Sequence, residues 1–134
     1  MYVIDASIFL EVELEQERSE ECKQFLGKVI SGEIEAIISD FEIDSMCLVI
    51  ERHSKSPEDI REFLESMALF SGLSLYHVRH SDKVKATDHM KLGLDFGDSV
   101  VVQSALANDI KEIVSLDKDF DNIKLVKRLE PGLA

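Results

Sequence analysis

The sequence contains no tryptophan, only two prolines and only two cysteines in 134 residues. With proline confined to positions 57 and 131, there is no proline-rich linker or tail. Cys22 and Cys47 are too few for a disulfide scaffold, and neither stands at a zinc-ligand spacing from another Cys or His. Both read as reduced core thiols. No apolar run approaches the ~20 residues that cross a bilayer. The opening Met1-Tyr2-Val3-Ile4 is apolar but is cut short by Asp5, with no basic segment before it, so it does not read as an export signal. The expectation is a cytoplasmic protein with no membrane partner.

Positive charge is scarce as well. Lys and Arg total 15 against 27 Asp and Glu, a net charge of −12. The deficit sits in the first half: residues 1–75 hold 17 acids and 6 bases, whereas residues 76–134 hold 10 and 9. A field of this sign does not by itself draw in nucleic acid, which would need a local basic patch, bridging cations or a partner protein. Hydrophobic residues, 45 % of the chain, run through its whole length, which excludes a disordered segment. The length suits one domain over residues 1–134.

Short apolar runs alternate with amphipathic ones. Tyr2-Val3-Ile4, Glu35–Ser39, Leu73–Val78, Glu112–Leu116 and Lys124–Lys127 read as strands. Helices are expected from Ile8, from Ser19 (Cys22, Phe25, Leu26, Val29 and Ile30 inward), from Asp40, from Ser56-Pro57, over 81–92 and over Asp98–Asn108. Gly32, Gly72 and Gly93 are expected to end the helices before them. This alternation predicts a three-layer α/β/α fold with a mostly parallel central sheet of about five strands.

In such sheets, sites form beyond the carboxyl ends of the strands. Asp5 closes the first strand, Asp117 closes the fourth, and Asp40, Glu42 and Asp44 follow the second. Asp98 starts a helix after Leu94-Asp95-Phe96-Gly97. Taken singly, each helix-start acid can be a cap, since free N–H groups favour negative charge there. Taken together on one edge, they would repel one another and force a proton onto one of them. A hard divalent cation such as Mg²⁺ or Mn²⁺ relieves that repulsion through oxygen ligands. Carboxylates with such a cation suit attack of water on a phosphodiester.

Val3-Ile4-Asp5-Ala6-Ser7, Gly93-Leu94-Asp95-Phe96-Gly97-Asp98 and Ser115-Leu116-Asp117-Lys118-Asp119-Phe120 resemble the first, third and fourth motifs of the PIN domain. That family of metal-dependent nucleases includes VapC-type ribonuclease toxins. The resemblance implies that Asp5, Asp98 and Asp117 hold the metal. It implies that Asp44, or Glu42, completes the catalytic cluster, and that Ser7 and Ser115 hydrogen-bond the carboxylates. Ser7 could equally cap a helix, and Asp95 could equally cap the helix bearing Asp98. Asp119 reads first as a cap for the turn into Phe120. The second motif departs from the family pattern, because Ser39-Asp40-Phe41-Glu42-Ile43-Asp44-Ser45-Met46 offers no carboxylate in the strict register. Arg79, Lys83 and Lys85, with His77, His80 and His89 nearby, form the best candidate surface for RNA.

The leading expectation is therefore an endoribonuclease, the toxin of a VapBC-type pair with an antitoxin partner. Homo-oligomers are expected through the apolar residues near Ile8–Leu14 and the helix from Ser56. A PIN-fold scaffold that binds protein without catalysis is the second reading, motivated by the departing motif. A receiver or a haloacid-dehalogenase-like phosphatase fits less well: the former needs an acidic pair before its Asp, and the latter a second Asp where Ser7 stands.

Overall fold

The apolar runs of the sequence become the strands of a sheet, the three inner ones largely buried and the two edge strands partly exposed. The computed structural model describes residues 1–134. Its strands are β1 (Tyr2–Ile4), β2 (Ala36–Ser39), β3 (Leu73–Tyr76), β4 (Glu112–Val114) and β5 (Lys127–Leu129). Between them lie α1 (Ala6–Glu13), α2 (Ser19–Ile30), α3 (Asp40–Ser54), α4 (Pro57–Met67), α5 (His80–Met90) and α6 (Phe96–Ala107). Short 3₁₀ turns occupy Lys118–Asn122 and Pro131–Leu133. The strand order is β3-β2-β1-β4-β5, and every pair is parallel, so "mostly parallel" becomes wholly parallel.

Alternation along the strands sorts residues between two cores. On one face Ile4, Ile38 and Val114 meet Phe25 and Val29 of α2, Met46 of α3 and Phe63 of α4. On the other, Val3, Ile37 and Ile113 meet Val101, Val102 and Ala105 of α6 and Phe120. The α2 stripe packs as expected at Cys22, Phe25, Leu26 and Val29, but Ile30 is 45 % exposed, one step past the buried arc. No helix is long and apolar enough to cross a membrane.

Several expected boundaries shift for physical reasons. The fifth strand is Lys127–Leu129 rather than Lys124–Lys127. Register with β4 pairs Glu112 with Lys127 and Val114 with Leu129, which leaves Val126 free to turn into the core. The helix α3 is capped by Ser39, whose Oγ accepts the Glu42 N–H at 3.0 Å, and not by Asp40. The helix α6 begins at Phe96 with Asp95 as its cap, so Asp98 lies inside the first turn. Gly72 does not end α4, which stops at Met67. It serves a close approach instead: a Cβ there would lie 2.2 Å from the Ile34 carbonyl oxygen. Gly93 is required for a different reason, since its φ of +99° is a conformation L side chains rarely adopt. Ile8 and Phe9, expected at a dimer surface, are instead buried in the first core.

Candidate metal centre

All the motif carboxylates come from the carboxyl edge of the sheet or from helix starts facing it. Asp5 follows β1, Ser39 and Glu42 span the β2–α3 junction, Ser115 and Asp117 follow β4, and Asp98 enters from the first turn of α6. Three of the acids, Asp98, Asp117 and Asp119, each offer an oxygen within 4.8 Å of the others. Of the expected metal ligands Asp5, Asp98 and Asp117, the last two stand in this group together with Asp119, and the charge of Asp5 acts on Asp98 from nearby. Asp119 is brought in by its own backbone, whose N–H donates to Asp117 Oδ1 at 2.9 Å and closes the 3₁₀ turn.

Asp5 lies just behind this trio and is 6 % exposed. Its Oδ2 accepts two hydroxyls, Ser7 Oγ and Ser115 Oγ, each at 2.7 Å. The same hydroxyls also accept backbone donors: Ser7 Oγ takes the Leu116 N–H and Ser115 Oγ takes the Asp117 N–H. The two serines therefore lock the ends of β1 and β4 together and aim the carboxylates that follow. Arg128 adds a brace, donating to the Ser115 carbonyl at 3.0 Å while its guanidinium pairs with Asp121 and Glu130.

At the second motif the structure brings in Glu42 and leaves Asp44 out. Glu42 is 6 % exposed, and its Oε2 accepts the Ala6 N–H at 2.6 Å. It thereby caps α1 from a neighbouring helix, while the side chain of Asp5, the α1 cap residue, makes no cap bond. Two residues further along α3 is about 200° around the helix axis, so Asp44 faces solvent. Asp95 takes the capping role, its Oδ1 accepting the Asp98 N–H at 2.8 Å.

The electrostatics follow from this crowding. Burial pushes the Asp98 carboxyl up to about 7, and the charges of Asp95, Asp5 and Asp117 add to the push. Burial likewise raises Glu42 well above the ordinary carboxylate range, with the Asp5 charge as the next cause, and the Ala6 N–H only partly opposes it. The donors are hard oxygens on convergent, mutually repelling groups, the set that a divalent cation fits. Ser99, which follows Asp98 in the chain and is fully buried, has the one buried side-chain hydroxyl that finds no partner in the chain. Asp98, Asp117 and Asp119 would hold such a cation, with Asp5 and Glu42 behind them.

Of the candidate RNA contacts, Arg79 precedes α5 with its side chain 71 % exposed, and Lys83 and Lys85 lie exposed on that helix. Asp82, on the same helix, is buried beneath them. It accepts from the Tyr76 hydroxyl, the Arg79 N–H and Gln103 Nε2. Sequence reading missed this network, although an acid three residues after a helix start is a recognisable capping position.

Comparison with known proteins gives the same fold. The Mycobacterium tuberculosis protein VapC20, described as a sarcin-ricin loop cleaving toxin, superposes with a TM-score of 0.74 at 13 % identity, covering 90 % of this chain and 93 % of its own. A toxin-antitoxin complex from Klebsiella pneumoniae gives 0.69 at 15 % identity, covering 98 % of each chain. VapBC2 from Rickettsia felis, bound to a DNA fragment from its promoter, gives 0.68 at 14 %, covering 96 % of this chain and 97 % of its own. No curated protein matches the sequence. Residues 2–125 match the family model of the PIN domain, and the chain belongs to that family.

Proposed function

We propose that this chain is a metal-dependent endoribonuclease, the toxin of a VapBC-type pair. One observation carries the reading: Asp98, Asp117 and Asp119 bring oxygens within 4.8 Å of one another, with Asp5 and Glu42 buried behind them. Such a group has no stabilising role in a bare scaffold, where its mutual repulsion costs stability. The similar folds of a sarcin-ricin loop cleaving toxin and of toxin-antitoxin complexes support the assignment. Glu42, buried and within reach of the charges of Asp5 and Asp98, supports this reading over an inactive scaffold, because it gives the second motif a carboxylate near the group.

A bound Mg²⁺ or Mn²⁺ supplies a charge that acidifies a water and offsets the negative phosphodiester. Asp98, Asp117 and Asp119 hold it, and Asp5 adds the charge that favours its uptake. Ser7 and Ser115 fix Asp5, and Glu42 ties α1 to α3 so that the β1 end keeps its place. Arg79, Lys83 and Lys85 offer positive charge to RNA phosphates. An antitoxin and a second copy of the chain are the expected partners. An apolar groove of about 260 Å³ between α4 and β3, lined by Leu64, Met67 and Leu75 among others, is apolar surface open to a partner.

The test is cleavage. The purified chain with Mn²⁺ or Mg²⁺ should cut RNA, and Asp98→Asn and Asp117→Asn should each abolish it. Equal cutting by both variants, or no uptake of Mn²⁺ by the native chain, overturns the proposal.

A further inference from the structure

Two aromatic side chains border the carboxylates without belonging to either core. Phe41 is the second residue of α3, between Asp40 and Glu42, and Phe96 is the first of α6, between Asp95 and Gly97. Their rings meet edge to face, with centroids 5.8 Å apart at 85°. The Phe41 ring edge reaches the backbone at Gly97, one residue before Asp98: a Cβ built there would lie 4.0 Å from Phe41 Cε1. Neither ring is part of the two apolar clusters or packs against them. Phe96 remains 37 % exposed. More than a third of this residue is thus left in water beside an acidic site, where an aromatic side chain would ordinarily be covered.

Charge continues past the rings. Asp40, which precedes Phe41, accepts the Val78 N–H at 3.0 Å and faces His77 Nδ1 at 3.3 Å. The next residue, Arg79, has its side chain 71 % exposed. Along the sheet edge the order is thus carboxylates at β1 and β4, aromatic rings above the end of β2, and cations after β3. A single nucleic-acid strand presents the matching order: the phosphate being cut, an unpaired base, then further phosphates.

Resting on the nuclease reading, the geometry points to a base-stacking subsite: Phe96, propped by Phe41, takes one unpaired nucleobase of the RNA next to the phosphate held over Asp98 and Asp117, with Arg79 on the phosphate beyond. A duplex keeps its bases stacked within the helix and cannot offer a face to the ring, so the subsite selects single strands and loops. Stacking is tolerant of base identity, so it discriminates paired from unpaired RNA rather than one sequence from another.

The probe is a short single-stranded oligoribonucleotide carrying a fluorescent adenine analogue, titrated with the native chain in Ca²⁺ and checked on a gel for intactness. The native chain should quench the fluorophore. Phe96→Ala should lose the quenching and bind about ten- to a hundredfold more weakly, while taking up Mn²⁺ as the native chain does by calorimetry. Phe96→Trp, which keeps a ring, should restore both quenching and affinity, separating stacking from misfolding. A native chain that takes up Mn²⁺ and cuts RNA, with Phe96→Ala binding the strand as tightly as before, overturns the subsite and leaves the nuclease reading intact. Equal binding of the same label within a duplex also overturns it. A native chain that takes up no Mn²⁺ overturns both.

Discussion

Glu42 accepts the backbone N–H of Ala6 at 2.6 Å, so a carboxylate on one helix caps the start of another across 36 residues of sequence. This bond explains why the second motif looks displaced. Removing it in Glu42→Ala strands a buried amide and should cost about 1–3 kcal/mol. Glu42→Gln retains an acceptor and should stay close to native stability. Asp44→Asn, on the solvent side, should leave both stability and Mn²⁺ uptake unchanged. Urea unfolding and calorimetry separate the three variants.

Asp98 gives the metal-free chain a pH dependence of definite sign. Its carboxyl titrates at about 7 when folded, against about 3.9 in an unfolded chain. Between those values the folded form holds the extra proton, so stability falls as pH rises from about 4 to about 7. Glu42, also raised, acts in the same direction. Mn²⁺ binds the ionised cluster, so the stabilisation it adds should grow with pH over that window. Asp98→Asn should flatten much of the slope and raise the melting temperature of the metal-free chain above neutral pH. Thermal melts across pH, with chelator and with Mn²⁺, test this.

Ser115 and Ser7 donate to the same oxygen of Asp5, yet their loss should not cost the same. Ser115 is fully buried, and Ser115→Ala leaves the Asp117 N–H without its acceptor as well. We expect a loss of about 1–3 kcal/mol for Ser115→Ala and a smaller one for Ser7→Ala, where solvent can reach the vacated donors. Denaturant midpoints measured side by side decide the order.

Asp82 should behave as the opposite of Asp98. Burial alone would raise its carboxyl, but the bonds from Tyr76, the Arg79 N–H and Gln103 outweigh burial and hold it below the ordinary range. Its contribution is therefore complete above the unfolded value and is lost as pH falls through the folded one. Asp82→Ala should cost about 1–3 kcal/mol near neutral pH, the scale for leaving buried donors without their acceptor. The difference from the native chain should shrink as the solution is acidified.

The sheet and its helices were legible in sequence because the apolar periods of two and 3.6 residues survive almost undisturbed. The placement of Asp5, Asp98 and Asp117 on the carboxyl edge of the sheet was legible because strand ends and helix starts announce themselves. Glu42 was harder. Counting residues from the strand favoured Asp44, but the helix phase, fixed by Ser39 as cap, turns that residue outward. The Ser39–Glu42 spacing is itself a capping-box signal, and only half of the box forms because the carboxylate serves α1 instead. Asp119 was read as a local cap, whereas its N–H bond to Asp117 leaves its own carboxylate free to turn toward Asp98. The rings of Phe41 and Phe96 look like ordinary core residues in one dimension, and only their exclusion from both cores sets them apart.

The first strand made is the central strand of the sheet, held on one side by β4, and Asp5 is fastened to a serine 110 residues later. During translation, therefore, Asp5 leaves the ribosome long before Asp98, Ser115 and Asp117 exist to meet it. A product that stops short of Asp98 carries the first of these acids without the group it joins.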